Sequence, residues 1–394
     1  MPRHVIAGSP RRGPRWRRRT LVLGGAASLL VIAVIAATSA FSDRAASSEP
    51  STPASRAPSG HCGTPSGCTS TPLTVLATAP AAGATDVATS STITVEFSTD
   101  VRPTTTTPTI SPEITGSWFT MGRTMTFSPA APFVPGVEYT LAIPGGAGGV
   151  VADDGEVLAA SDTVPFTVGP GSVTRLQQLL AQLGYLPLTY DDPLPAPEPK
   201  DMALPQPGSF NWRWSGLPAQ LTSQWSPGTV GEITKAAVTS FEAQNGLGWD
   251  GNAGPEVWTA LLADVAEAKQ DTQPVSYVLV TPSLPEHLTV WVNGVLTLSN
   301  IPCNTGVPGA PTVPGTYAVF EHVKVSNMKG TDVTGTHYDV TVPWVSYFDN
   351  AQALHGYPRA AYGFPQSNGC VEMPITTAGT LWPDTPIGTI VTVE

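Results

Sequence analysis

Proline and glycine set the first limit on how this chain can fold, with 41 prolines and 38 glycines among 394 residues. A proline inside a helix removes a backbone donor and collides with the preceding turn, and a glycine there costs chain entropy. Long helices are therefore excluded except where this punctuation thins, and short strands joined by turns are what remains. The length exceeds one ordinary core and points to roughly two to four domains. Hydrophobic residues make up 41% of the chain, so it is not a disordered composition throughout.

Charge is distributed unevenly. Residues 1–20 hold seven arginines and no acid, which leaves 12 Lys and Arg against 30 Asp and Glu in the rest, a net −18. A body this acidic repels phosphate backbones and anionic lipid, which excludes nucleic acid as a partner. The basic tail runs directly into an apolar stretch, residues 21–41, long enough to cross a bilayer. Arginine on its N-terminal side places the tail in the cytoplasm and everything after it outside. The reading is a single-pass membrane anchor over 21–41. The alternative is a signal peptide cleaved near Thr38, Ser39 and Ala40, leaving a secreted protein. Residues 42–72 are a Ser/Thr/Pro-rich linker that cannot bury enough to order itself.

From residue 73 to 168 short alternating runs, at 92–97, 139–143 and 164–168, are separated by Pro/Gly turns, the pattern of a small antiparallel β-sandwich. Helical periodicity starts at Val173: Leu176, Leu179, Leu180 and Leu183 share one face, and Gly184 stops the helix. Thr229 and Glu232 read as a capping box opening a second helix, with Val230, Ile233, Ala237 and Phe241 as its apolar face. Pro255 opens a third helix, bearing Val257, Trp258, Leu261 and Leu262. After residue 275 the period returns to two. Leu288, Val290 and Val292 alternate, and Asn293-Gly294 marks a tight hairpin. The fold class expected is mostly β, with one small helical domain over 170–267.

Of four cysteines, Cys62 and Cys68 sit close together in the linker, where an oxidising exterior allows them to pair. Cys303 and Cys370 are isolated. Cys370 follows Gly369 and lies fifteen positions after His355-Gly356. A thiol attacks carbonyls as thiolate and needs a proton acceptor within reach, most often His. Glycine before it admits close approach of a substrate, and the Gly369 and Cys370 N–H groups are placed to face an oxyanion. No His, Cys and carboxylate spacing suits a metal, none is expected, and His287, His322 and His337 read as structural.

Three resemblances follow from these residues. Pro80 to Ala84, Phe97-Ser98 and Phe127 to Pro129 make 73–168 similar to bacterial Ig-like domains. Leu176 to Leu180, Leu183 to Tyr185, Phe241 with Gly246-Leu247, Asp250-Gly251, Gly254-Pro255 and Trp258 to Leu261 make 170–267 similar to a three-helix peptidoglycan-binding domain. Its departure is the insertion 187–227, whose Trp212, Trp214 and Trp225 either stack on sugars or pack over the helices. Thr305-Gly306, Pro311 to Tyr317, Pro343-Trp344, Ala353 to Gly356 and Gln366 to Met373 make 275–394 resemble the L,D-transpeptidase catalytic domain.

The last resemblance implies a β-rich catalytic domain with Cys370 as nucleophile and His355 as general base. By the same resemblance the Gly356 carbonyl orients the imidazole, Ser367, Asn368 and Gly369 shape the loop, and Tyr338, Trp344, Tyr357 and Glu372 contact substrate. The implied reaction is acyl transfer between peptidoglycan stem tetrapeptides in the cell wall, without a cofactor. Penem-type β-lactams are the expected covalent inhibitors. An L,D-carboxypeptidase using water as acceptor, or a decayed wall-binding scaffold holding stem peptides and glycan, are the alternatives. Two positions depart from the family pattern. Asn368 stands where His is usual, with an amide expected to hydrogen-bond the loop, and Glu372 stands where a basic or amide residue is usual.

Overall fold

A computed structural model describes residues 72–394; the segment 21–41, the linker and the Cys62/Cys68 pair lie outside the described residues. Among the described residues no helix is long and apolar enough to cross a membrane.

The first domain has eight strands: β1 (Val75–Ala79), β2 (Ala84–Val87), β3 (Ile93–Phe97), β4 (Thr109–Ser111), β5 (Gly116–Met121), β6 (Thr124–Pro129), β7 (Glu138–Ile143) and β8 (Asp162–Val168). They form two four-stranded sheets, β1-β3-β6-β5 and β2-β8-β7-β4. Alternation decides which side chains go inside. Ile93, Val95 and Phe97 from one sheet meet Tyr139, Leu141, Ile143, Val164 and Phe166 from the other around Phe133. Each large side chain removed from water there contributes about 1.5–3 kcal/mol. The sandwich read from the sequence is observed, antiparallel except that β2 pairs parallel with β8.

The helical domain contains α1 (Val173–Gln182), a ribbon of β9 (Leu188–Asp191) with β10 (Ser209–Trp212), α2 (Ala219–Thr222), α3 (Glu232–Gln244) and α4 (Pro255–Ala266). Ser172 caps α1 through its Oγ, and Gly184 ends it at φ +91°. Pro255 opens α4 as expected. The capping box is not formed. The N-cap of α3 is Gly231, with no side-chain cap, and Val230 is exposed rather than on the apolar face. The buried Gln177 amide explains the difference. Its Nε2 donates to the carbonyls of Ser226 and Thr229 at 3.2 and 3.0 Å, and its Oε1 accepts from Gly228 N–H at 2.8 Å, so a turn over 226–229 is pinned ahead of the helix, which starts only after Gly231. The three insertion tryptophans are used by the protein itself. Trp212 and Trp225 pack on the helical core, Trp225 edge-on to Phe210 at 5.1 Å. Trp214 lies against Gly294 with the Arg213 guanidinium 4.5 Å from its ring centre.

On α3, Glu242 is 1% exposed and accepts the Gly251 N–H at 2.9 Å. Burial pushes its carboxyl up to about 7, with the Gly251 N–H opposing and Asp250 adding to the rise. A pKa raised on folding contributes stability that is present below the unfolded value near 4.5 and lost as pH rises through 7. Glu242→Gln should therefore melt above the native chain at pH 8, by a difference worth about 1–3 kcal/mol, and lose that advantage near pH 4.5. Melting curves at the two pH values check it; equal midpoints at pH 8 would contradict it.

The last domain consists of β11 (Ser276–Thr281), β12 (His287–Val292), β13 (Val295–Pro302), β14 (Gly315–Ala318), β15 (Glu321–Thr331), β16 (His337–Asp349), β17 (Gln352–Gly356), β18 (Val371–Met373), α5 (Ile375–Leu381) and β19 (Ile390–Val393). A five-stranded sheet, β13-β12-β11-β19-β14, packs on a four-stranded sheet, β15-β16-β17-β18. The hairpin between β12 and β13 turns on Asn293 and Gly294, both at positive φ as such a turn demands. Val278, Val280, Leu288, Val290 and Val391 face Phe348, Leu354, Val371 and Met373 across the interior. The other side of the five-stranded sheet is also covered. Tyr277 and Ile390 belong to the same apolar cluster as Ile233 and Phe241 of the helices. A Cβ at Gly388 would stand 2.5 Å from Ser240 Cβ on α3, so the helix rests directly on that turn.

Candidate active site

Strands β17 and β18 run parallel, with Leu354 opposite Val371, His355 opposite Glu372 and Gly356 opposite Met373. One step back along the same register, Cys370 stands beside Ala353. Side chains alternate across a sheet. Leu354, Val371 and Met373 go into the interior, while Ala353 and Cys370 belong to a separate cluster on the outer face with Val345 and Tyr357. His355 and Glu372 share that outer parity. The His and Cys therefore lie diagonally across adjacent strands on one face.

The parallel pairing requires a connection long enough to return the chain, and residues 357–369 provide it. A network of hydrogen bonds fixes this connection. Glu286, 1% exposed, accepts both the N–H and the Oγ1–H of Thr305, at 2.6 and 2.7 Å. The Thr305 carbonyl in turn accepts the N–H groups of Gln366 and Ser367. Ser367 Oγ donates to the Cys370 carbonyl at 2.6 Å and accepts the Gly369 N–H at 3.1 Å. Thr312 Oγ1 donates to the Gly369 carbonyl and accepts the Gly306 N–H, both at 2.9 Å. Gly369 itself sits at φ +113°, a conformation that a side chain would strain.

His355 is 2% exposed. Its Nδ1 lies 3.1 Å from the Gly356 carbonyl. A carbonyl only accepts, so Nδ1 carries the hydrogen and Nε2 is left as the basic nitrogen. Burial lowers its pKa, with the Gly356 carbonyl and Glu372 opposing and Arg359 adding to the fall. Cys370 is partly exposed. Its thiol donates toward the Ala351 carbonyl at 3.6 Å. Burial pushes the thiol up to about 11; the Ala353 N–H pulls it down and Glu372 pushes it further up. Both groups thus rest neutral. Among the described residues no hydrogen bond joins Cys370 to His355, and the thiol has to turn away from Ala351 to reach the imidazole. Such contacts commonly tighten only when substrate arrives.

Several sequence expectations need correction. Asn368 is exposed and its amide makes no hydrogen bond among the described residues; Ser367 and Thr312 hold the loop instead. The Gly369 N–H is taken by Ser367 Oγ, so it is not an open oxyanion donor. Trp344 packs into the interior cluster beside Trp382, at 5.8 Å between ring centres, on the opposite face from Cys370. Glu372 is buried and bound by Arg359, so it is not free to contact substrate. Tyr357 does lie at the site, edge-on to the His355 ring at 6.3 Å. Tyr338 lies across Gly330 of the partner strand and within electrostatic reach of Cys370.

Sequence reasoning passed over Arg359, Thr312 and Glu286. For Arg359 a signal existed, since it is the only Lys or Arg beyond Lys329, and a Glu inside the apolar strand 371–373 demands a cation. As for metal sites, no group of three His, Cys, Asp or Glu gathers among the described residues. His322 instead stacks on Trp382, with ring centres 3.9 Å apart.

Residues 276–393 match the family model of the L,D-transpeptidase catalytic domain. This chain carries an L,D-transpeptidase catalytic domain. Residues 69–168 match a bacterial Ig-like domain and 219–261 a peptidoglycan binding domain. No curated protein matches the chain. Among solved structures, an L,D-transpeptidase from Mycobacterium smegmatis is 15% identical, with 82% of this chain and 100% of that one covered and a TM-score of 0.29. L,D-transpeptidase 3 from Mycobacterium tuberculosis, in complex with a faropenem-derived adduct, is 14% identical over 81% of this chain and 97% of its own, with a TM-score of 0.29. The catalytic domain of the E. faecium L,D-transpeptidase, acylated by ertapenem, is 23% identical over 32% of this chain and 99% of its own, with a TM-score of 0.27. The assignment of the L,D-transpeptidase domain rests on the family match and not on these likenesses.

The hydrogen-bond network of this L,D-transpeptidase domain makes its own prediction. Thr312→Val leaves the Gly306 N–H and the Gly369 carbonyl buried without their partner, which costs about 1–3 kcal/mol. Asn368→Ala removes no bond and should leave the melting temperature within error. Denaturation of the two variants side by side checks the contrast; equal losses would contradict it.

Proposed function

We propose that this chain is an extracytoplasmic peptidoglycan L,D-transpeptidase working through a Cys370 acyl-enzyme. One observation carries the reading: in a domain of that family, His355 and Cys370 occupy one face of adjacent parallel strands, with His355 Nε2 left as the free base. Because thiol and imidazole both rest neutral, the base takes the proton as the attack proceeds rather than holding a preformed ion pair.

Cys370 Sγ passes its proton to His355 Nε2 and attacks the carbonyl at the L-centre of the third residue of a stem tetrapeptide. The bond to the terminal D-Ala nitrogen breaks, and the imidazolium returns the proton to that amine. A side-chain amine of a neighbouring stem then attacks the thioester, losing a proton to His355, and Cys370 leaves as the thiol. The Cys370 N–H is the remaining candidate on this loop for the oxyanion. A penem carbonyl meets the same thiol and acylates it without a leaving amine.

The match to a peptidoglycan binding domain supports a site of action at the wall, and the anchor read over 21–41 would tether the enzyme there through the 42–72 linker. Fractionation with membranes and an intact N-terminus support the anchor; mature protein beginning near Phe41 supports cleavage. The reaction is tested by incubating the chain with tetrapeptide muropeptides. Dimers formed with loss of D-Ala are expected. Release of D-Ala without dimers would make it a carboxypeptidase, and neither product would leave a wall-binding scaffold.

A further inference from the structure

The Arg359–Glu372 pair lies beside the base, and the reaction as described does not use it. Glu372 stands directly opposite His355 in the parallel register, with its side chain 7% exposed. Arg359 grips it with two hydrogen bonds, Nε to Oε2 at 2.7 Å and Nη2 to Oε1 at 2.9 Å. The same Nη2 donates to the Gln366 carbonyl at 3.0 Å, and the guanidinium lies 4.7 Å from the centre of the Tyr357 ring. A planar fork bound through Nε and Nη2 and lying over a ring has little freedom left. It fixes the carboxylate and ties the returning loop to β18.

A buried carboxylate alone beside an imidazole would draw a proton onto the ring and spoil it as a base. A half-buried guanidinium alone would resist the imidazolium that forms when the thiol gives up its proton. Together the two charges nearly cancel at rest, yet the carboxylate stays at hand. The other titratable groups around the pair are Cys370, diagonal to His355, Tyr357 and Tyr362 on the loop, and Tyr338 and Tyr347 on β16. The helix α5, packed against the back of β17 at Gly356, carries none.

We propose that Arg359 and Glu372 are a pair of positioning residues for His355: the guanidinium fixes the carboxylate beside the imidazole, and their opposed charges keep the ring neutral until Cys370 gives up its proton. The inference rests on the reading of Cys370 and His355 as the reacting groups. It also accounts for a glutamate at a position where the family pattern has a basic or amide residue: the chain keeps a cation here, but brings it in from the loop.

The test is the pH dependence of penem acylation of the full chain, with melting curves run in parallel. The rate rises as His355 loses its proton, so the acid limb reports that group. Arg359→Gln leaves the carboxylate uncompensated and should move the limb up by about one pH unit; Glu372→Gln leaves the cation and should move it down by about as much. The double variant should return close to the native limb. Should Arg359→Gln not fold, Glu372→Gln must still lower the limb and the charge-keeping Arg359→Lys must leave it in place. Limbs that stay put while rates and melting temperatures fall would reduce the pair to a structural tie and overturn the proposal, as would shifts of the same sign. If the native chain is not acylated at all, the reading of Cys370 falls and this inference with it.

Discussion

Cys370→Ala is expected to abolish both D-Ala release and penem acylation, because among the described residues no other thiol lies on that sheet face. Cys303→Ala is the matched comparison. Cys303 is fully buried, and burial with Glu286 nearby drives its thiol far above the ordinary range. It fills a place in the interior cluster with Val278 and Val371. Loss of its sulfur should cost stability, of the order of a small core cavity at about 1 kcal/mol, and leave acylation intact. Rates of D-Ala release and adduct formation, measured on both variants after confirming that they fold, decide the matter. Turnover surviving in the Cys370 variant would remove it from the mechanism.

His355→Ala carries the second large effect. With the thiol resting neutral, nearly the whole burden of deprotonation falls on the imidazole, and general-base assistance is typically worth about 10²–10⁴ in rate. The variant should acylate slower by that factor near neutral pH and recover part of the loss as alkali generates thiolate directly. In the native chain the rate should fall as pH drops through the His355 pKa, which burial holds below the usual imidazole value. Penem acylation followed by stopped flow across pH gives both results. A His355→Ala variant with native rates would show that the base lies elsewhere.

Much of the architecture was legible because the hydrophobic period changes cleanly. The period of two at 92–97 is strand β3, the 3.6 period from Val173 is α1, and Asn293-Gly294 is the turn it promised. The candidate pair, Cys370 and His355, was visible in the sequence too, since a Gly-Cys and an upstream His-Gly are local in sequence, and the strand register brings the two to one face. What stayed hidden depended on register or on distant partners. Whether Trp344 faces the site or the interior depends on strand parity, and a slip of one residue reverses it. The structure puts Val345 on the outer face and Trp344 inside. Thr229 and Glu232 have the spacing of a capping box, yet Gln177, more than fifty positions away, determines the local backbone. Glu372 looked like a substrate contact because Arg359, thirteen residues earlier, could not be placed against it without the fold. Asn368 was expected to bond the loop, but Ser367 and Thr312 had already satisfied the loop's polar groups.

Cys370 Sγ is the proposed site of acylation in a wall cross-linking enzyme, and peptide mapping tests this most directly. The full chain is treated with a penem, digested, and read by mass spectrometry alongside a sample quenched during turnover of a tetrapeptide muropeptide. One penem adduct is expected on the peptide bearing Gly369-Cys370, and on that same peptide a thioester of the stem with its terminal D-Ala gone. Adducts on Cys303, or a chain that releases D-Ala while Cys370 stays unmodified, would contradict it.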